Sequence, residues 1–304
     1  GKIIPNNKLD IKITAQGGVG TADEQSFLLD YYKLDSVGWG TPFLLVPEVT
    51  TVDDVTREKL LQAKEKDLYL SNISPLGVPF NNLRNNSKDL EKEKKIVEGK
   101  PGSSCPRRFL ALGRDYDNQG VCTASRKFQK IKIKEAQSDN SILLDKVFEK
   151  TCLCMGLAAS SVVKNKIEVK ESEYVSVCPG PNLAYFSKYM SLKEIANQIY
   201  GMSESIARID RPHFFIKELD LYVKYFTDRL EESLDNFNKK QEKYFTRFLN
   251  NLEEGLDYYS SMFENMQSTF LQNKSRILSE LDNKRKTLND ISLKIKSFNQ
   301  ILDS

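Results

Sequence analysis

The chain of 304 residues contains no run of about 18 apolar residues, so no transmembrane helix is expected. Its opening, GKIIPNNKLDIKI, lacks the apolar stretch of a secretory signal. It also lacks an initiator Met, and Gly1 reads as a fragment start or a processed end. No charge dominates: 45 Lys and Arg against 42 Asp and Glu leave +3, which gives no argument for a nucleic-acid surface. Histidine is nearly absent, with His213 alone in RPHFFIKEL, where a structural role is expected. No C-x2-C pair occurs, so the commonest zinc spacing is missing. Repeats of solenoid period are missing as well.

What is present suits a globular protein with a real core: 39% hydrophobic residues, 29% charged residues and a mean hydropathy of −0.48. Five cysteines, an odd number, point to reduced thiols or metal ligands and to the cytoplasm. Three regions differ in composition. Residues 1–75 alternate β-rich runs (LDIKITA, LDSVGW, DLYLSNIS) with helix-like ones (TADEQSFLLDYY, TTVDDVTREKLLQAKEK), which predicts parallel pairing through crossovers. Residues 76–200 read as an irregular, Cys-rich insert interrupted by the charged helix DLEKEKKIVEG and by short helices near 139–150 and 190–200. Residues 201–304 read as a helical tail, with no proline after Pro212 and only Gly255 as punctuation.

Along that tail Phe245, Leu249, Leu252, Leu256, Tyr259, Phe263, Met266 and Phe270 alternate spacings of four and three. Ile277, Leu281, Leu288, Ile291, Ile295, Phe298 and Leu302 continue the stripe, which predicts a hairpin, a bundle or a coiled-coil-like element packed along one seam. A second copy of the chain is one partner such a seam could take.

Two glycine turns stand out in the first region. ITAQGGVG is followed by the polar start of a helix, and DSVGWGTPF repeats that order one β-α-β step later. Backbone N–H groups freed at such turns bind phosphate, and glycine lets them approach the anion closely. A generic pair of α/β corners, or a phosphate ligand of another kind, would use the same residues.

The pair resembles the last two strand-loop units of FMN-dependent β/α barrels of the nitronate monooxygenase and FMN enoyl reductase group. The matching residues are Gly17, Gly18, Asp35, Gly40, Thr41, Phe43 and, in LLVPE, Glu48. The resemblance covers roughly residues 10–65 and implies an FMN-dependent oxidoreductase on a TIM-type fold. It implies that backbone groups at Gly17, Gly18, Gly20, Gly40 and Thr41 hold the FMN phosphate and that Trp39 faces the flavin or its ribityl chain. It names no catalytic residue or substrate. The preceding six strand-helix units of such a barrel are not found in the chain, so the resemblance implies a longer enzyme or a second polypeptide that completes the barrel. The expected fold class is therefore α/β: the C-terminal portion of a β/α barrel, then the Cys-rich segment, then the helical tail.

Cys105, Cys122, Cys152, Cys154 and Cys178 all fall in the middle region, next to Pro or Gly turns. Thiolates in that number suit Zn²⁺ or an iron–sulfur cluster. Buried small hydrophobes and a reactive thiol are the other two readings. In the same region Arg107, Arg108, Arg126 and Lys127 would suit an anionic substrate such as an acyl-carrier phosphopantetheine or a nucleotide, or form a solvated face. The rival to the flavoenzyme is a non-catalytic assembly protein that uses the tail and carries a structural metal or cluster among the cysteines.

Overall fold

A computed structural model describes residues 9–105, 107–170, 172–233, 237–266 and 274–302, with the backbone alone for residues 299–302. The chain forms two compact units, Gly1–Asp210 and Arg211–Ser304. Among the described residues no helix is long and apolar enough to cross a membrane.

The first unit mixes α and β structure, with helices predominating. Strand β1 (Thr14–Gln16) leads through helix α1 (Ala22–Asp30) to strand β2 (Ser36–Gly38), and the two strands pair in parallel, Thr14 opposite Ser36 and Gln16 opposite Gly38. Asp35 fastens the start of the pair: its N–H donates to the Ile13 carbonyl and its carboxylate accepts the Ile13 N–H, both at 2.8 Å. That N–H, with Lys12 nearby, holds the Asp35 carboxyl below its ordinary range. Helix α1 starts at Thr21, whose hydroxyl accepts the Glu24 N–H, and buries Phe27 and Leu28.

Helix α2 (Asp54–Gln62) is capped by Asp53. Strand β3 (Leu68–Ser71) then pairs with β4 (Phe80–Leu83) in antiparallel register, Leu68 opposite Leu83 and Ser71 opposite Phe80. The sequence predicts a third parallel strand at β3; the structure corrects this. Residues 72–79 carry Pro75, Gly77 and Pro79 and are too short for a helical crossover, so the chain reverses directly. Among the described residues there are two two-stranded sheets and no closed barrel.

Among the described residues the segment read as irregular holds five helices: α3 (Ser87–Val97), α4 (Arg126–Glu135), α5 (Leu144–Glu149), α6 (Leu153–Lys164) and α7 (Leu192–Ile199). Its core is continuous with the first region: Leu45, Val52, Leu60, Leu83, Val177, Leu183 and Phe186 pack as one cluster. Buried polar groups fix its geometry. Ser160 donates to the Asp53 carboxylate at 2.6 Å and accepts the Asp53 N–H at 2.8 Å, tying α6 to the start of α2. Gln129, 1% exposed, donates to the carbonyls of Val147 and Lys150, each at 3.1 Å.

The second unit is a three-helix bundle of α8 (Phe214–Glu232), α9 (Lys239–Asn265) and α10 (Lys274–Leu302). Phe215 stacks on Tyr259 and Phe226 on Phe248, so α8 and α9 run in opposite directions. Asp257 pairs with Arg285, while the Glu264 carbonyl accepts from Lys274, so α10 reverses again. Of the arrangements the stripe allows, the tail takes the bundle: α8 supplies Ile216, Leu219, Val223, Phe226 and Leu230 to cover the stripe. Phe245, Leu249, Leu252, Leu256, Phe263, Ile277, Leu281, Leu288, Ile291 and Ile295 are all buried. Phe270 lies outside the described residues. His213 precedes α8, and its Nδ1 accepts the Phe215 N–H at 3.2 Å.

Candidate functional site

The glycine turns leave the same end of the β1–β2 pair, because Gln16 and Gly38 are in register. Gly17 and Gly18 take left-handed backbone, φ 100° and 73°, which glycine adopts without strain. Gly20 is buried and its N–H is committed: it donates to Glu24 Oε2 at 2.8 Å, so a carboxylate of the chain itself already neutralises the start of α1. The N–H groups of Gly40 and Thr41 have no hydrogen-bond partner among the described residues. Gly40 is exposed, and a Cβ there would meet open space. Trp39 is half-buried and donates from Nε1 to Gln25 Oε1 at 2.7 Å, which turns its polar edge into the protein. Phe43 packs beside Val46, Met190 and Ile195 in a small apolar cluster. Glu48 accepts the Leu192 N–H at 2.9 Å and so helps to start α7.

A third segment completes this corner. In CPGPN (residues 178–182) Asn182 donates to the Gly18 carbonyl at 2.9 Å, and Gly180 lies so close to Thr41 that a Cβ would fall 2.2 Å from its hydroxyl. Burial pushes the Cys178 thiol up, and the nearby backbone of Gly180 and Asn81 offsets part of that shift. Cys178 therefore belongs with the glycine turns, apart from the other cysteines. The sequence carried a signal for this segment, a glycine between two prolines.

Cys105, Cys122, Cys152 and Cys154 line one small open pocket, with room of ≈ 10 Å³, together with Arg107, Arg108 and Leu153. Cys152 caps α6 and Cys154 lies in its first turn; Cys122 belongs to the turn that leads into α4. Cys105 has left-handed backbone, φ 44°, as does Arg108 at φ 58°. Gly120 makes the fold of these loops feasible, since a Cβ there would lie 2.0 Å from the Ala111 carbonyl oxygen. Burial pushes the Cys122 thiol up to about 11, and the other three sulfurs add to the shift. Burial also raises Cys154, with Cys152 and Cys105 contributing. Among the described residues no three His, Cys, Asp or Glu side chains are grouped so that they could hold a metal ion.

An open cleft of ≈ 250 Å³ adjoins this pocket, with Cys105, Arg108, Asp117, Cys122 and Lys127 on its walls. The basic residues here face protein partners. Arg108 donates to the side chain of Gln119 at 2.6 Å and to the Gly120 carbonyl at 2.6 Å, and Lys127 pairs with Asp117. That hydrogen bond, with the Gln119 N–H, holds the Asp117 carboxyl below its ordinary range. Comparison with known proteins gives no match: no family model, no curated protein and no solved structure is similar to the chain.

Proposed function

We propose that the chain supplies the phosphate-binding end of an FMN-dependent oxidoreductase of the nitronate monooxygenase or FMN enoyl reductase kind. One observation carries this reading. Two glycine turns leave the same end of an in-register parallel pair, with the N–H groups of Gly40 and Thr41 unpaired among the described residues. Unpaired N–H groups at glycine turns favour a phosphate dianion. The cradle is then Gly17, Gly18, Gly40 and Thr41, with Trp39 beside it. Gly20 acts through Glu24 as internal packing. When bound, the flavin supplies the redox chemistry, and these residues orient it.

The remainder of the barrel is a partner segment or chain that pairs with β1–β2. What supports this is the exposure of Leu9, Ile11 and Ile13, at 62%, 71% and 60%, beside a two-stranded parallel sheet. Parallel sheets are normally covered on both faces. Assembly through the tail has less support, because its apolar stripe is buried within the three-helix bundle.

The test is titration with FMN and with riboflavin, followed by quenching of flavin fluorescence. FMN is expected to bind and riboflavin to bind at least about tenfold more weakly, since the phosphate contacts are charge-assisted. Gly40→Leu, whose Cβ would meet no protein atom, is expected to abolish the FMN preference without loss of fold. Equal binding of the two flavins, or an unchanged Gly40→Leu, overturns the reading.

A further inference from the structure

We infer that the loop of residues 107–114 and the exposed face of α4 form a docking surface for an anionic phospholipid bilayer, with Phe109 and Leu112 entering the headgroup layer. This inference goes beyond the flavin reading and does not depend on it. It rests on exposed apolar side chains that stand beside a local excess of positive charge.

The near-balance of charge over the whole chain conceals that excess. Residues 107–135 hold eight Lys and Arg against three Asp and Glu, a balance of +5, whereas the full chain carries +3. On α4, Lys127, Lys130 and Lys134 are spaced by three and four, so they share one face, and all three are exposed. Arg107 and Arg114 are exposed on the loop. Asp117 meets both Lys127 and Arg108, which sets the base of the loop at the start of that helical face. Of the other acids, Glu135 is taken up by Lys132 at 2.8 Å, and Asp115 is exposed beside Arg114.

Among these cations the loop presents apolar side chains. Phe109 and Leu110 both line the small cysteine-lined pocket, yet Phe109 stays 64% exposed, and Leu112 is 67% exposed. Hydrogen bonds hold the loop in this form. The Ala111 N–H donates to the Arg108 carbonyl at 3.1 Å and the Val121 N–H to the Gly113 carbonyl at 2.7 Å. The Arg108 guanidinium grips Gln119 and the Gly120 carbonyl, which over-determines its own left-handed backbone, φ 58°. An apolar tip fringed by Lys and Arg matches a bilayer interface: the tip enters the boundary between headgroups and acyl chains, and the cations meet anionic lipid. Other anionic partners fit less well. Single-stranded nucleic acid is gripped by rings on which successive bases stack, and the two exposed tips here are one ring and one leucine. Protein interfaces are depleted in Lys, the residue that dominates the α4 face.

The experiment is cosedimentation of the whole chain with vesicles of phosphatidylcholine alone and of phosphatidylcholine mixed with phosphatidylserine, at low and high salt. The chain is expected to bind the mixed vesicles at least about tenfold more tightly than the neutral ones, and to bind less as salt screens the surface charges. One Lys near an anionic surface contributes about fivefold to the partition, so Lys130→Gln combined with Lys134→Gln should weaken it about twentyfold. Phe109→Ser combined with Leu112→Ser should weaken it by about tenfold or more through lost apolar burial, with the circular dichroism of the parent retained. Val55→Ser, at a position of α2 that is 70% exposed, should leave binding unchanged. The comparison of neutral with anionic vesicles needs no variant and so stands even where one fails to fold. The assignment is overturned by absence of binding to the mixed vesicles, by equal binding to both kinds, or by full binding of the chain that carries Phe109→Ser and Leu112→Ser. Equally tight binding to single-stranded DNA or to polyglutamate at the same charge concentration overturns it as well.

Discussion

The three-helix bundle and the cysteine-bearing segment are held together by opposite means. In the bundle the stabilising surface is apolar and continuous: Phe226, Leu256, Phe263, Leu281 and Leu288 are each exposed by 2% or less. Burying one such side chain contributes about 1.5–3 kcal/mol, and no single geometry is essential. Around the cysteines the helices are short, and directional contacts fix them: Ser160 on Asp53, Gln129 on two carbonyls, and Gly120 beneath Ala111. The bundle should therefore respond to the volume removed, and the cysteine segment to the exact shape and hydrogen bonding retained.

The largest effect is expected in the bundle. Phe263 is fully buried and touches His213, Phe215 and Tyr259, so Phe263→Ala should destabilise the unit by about 4 kcal/mol through lost transfer energy and the cavity left behind. Phe263→Leu should recover more than half of that loss in urea denaturation. Equal losses for both variants would break the volume rule for this unit.

Adding a single methyl should do nearly as much damage on the other side of the comparison. Gly120 has φ 81°, and its Cβ would fall 2.0 Å from the Ala111 carbonyl oxygen. Gly120→Ala therefore combines left-handed strain with a backbone displacement, and should lower stability by about 3 kcal/mol. Thermal denaturation within 1 kcal/mol or so of the parent would show that the loop adapts as the bundle does.

This contrast also explains what was legible in the residues. The stripe from Phe245 to Met266 and from Ile277 to Phe298 announces helices because a repeated apolar spacing is a local property. β1, α1 and β2 were legible for the same reason, as was the parallel pairing that sets Gln16 opposite Gly38. The third helix was not, since α8 joins the stripe through Phe226 and Val223 only once the chain has folded back. Helix α6 was hidden because LCMGLAASSVVK is apolar almost all round and shows no alternation. Asp53 and Ser160 stand 107 positions apart, and the separation of Cys178 from the other four thiols depends on Asn182 reaching Gly18. No local pattern encodes such pairings. The antiparallel β3–β4 turn could have been read from Pro75, Gly77 and Pro79, had the spacing been weighed against the length of a crossover.

Acid should separate the regions further. Burial, assisted by the charge of Arg211, lowers His213 from 6.5 to about 3. Between those values the unfolded chain binds a proton that the folded one refuses. The His213 contribution is thus complete above about pH 6.5 and is lost as pH falls toward about 3, amounting to about 3 kcal/mol at pH 4. Protonation would also remove the Nδ1 lone pair that accepts the Phe215 N–H. His213→Asn keeps a cap but no titrating group, so its stability should depend less steeply on pH over that interval. An unchanged slope would place the acid sensitivity elsewhere.

The smallest expected effect tests the comparison most finely. Ser160→Ala deletes one oxygen and adds no volume, so a region governed by apolar burial would tolerate it or gain slightly. Here the hydroxyl both donates to Asp53 Oδ2 and accepts the Asp53 N–H, and Asp53 is 5% exposed. Its removal leaves a buried carboxylate oxygen and a buried N–H short of partners at the start of α2, at a cost of about 1–2 kcal/mol. Asp53 Oδ1 still accepts the Thr56 N–H, which keeps α2 capped and confines the loss to the link with α6. Local hydrogen exchange should therefore accelerate at Asp53 and along α6 while β3 and β4 keep their protection. If exchange rises evenly through the whole unit, Ser160 is part of the common core, and the distinction between directional and apolar stabilisation does not hold at this position.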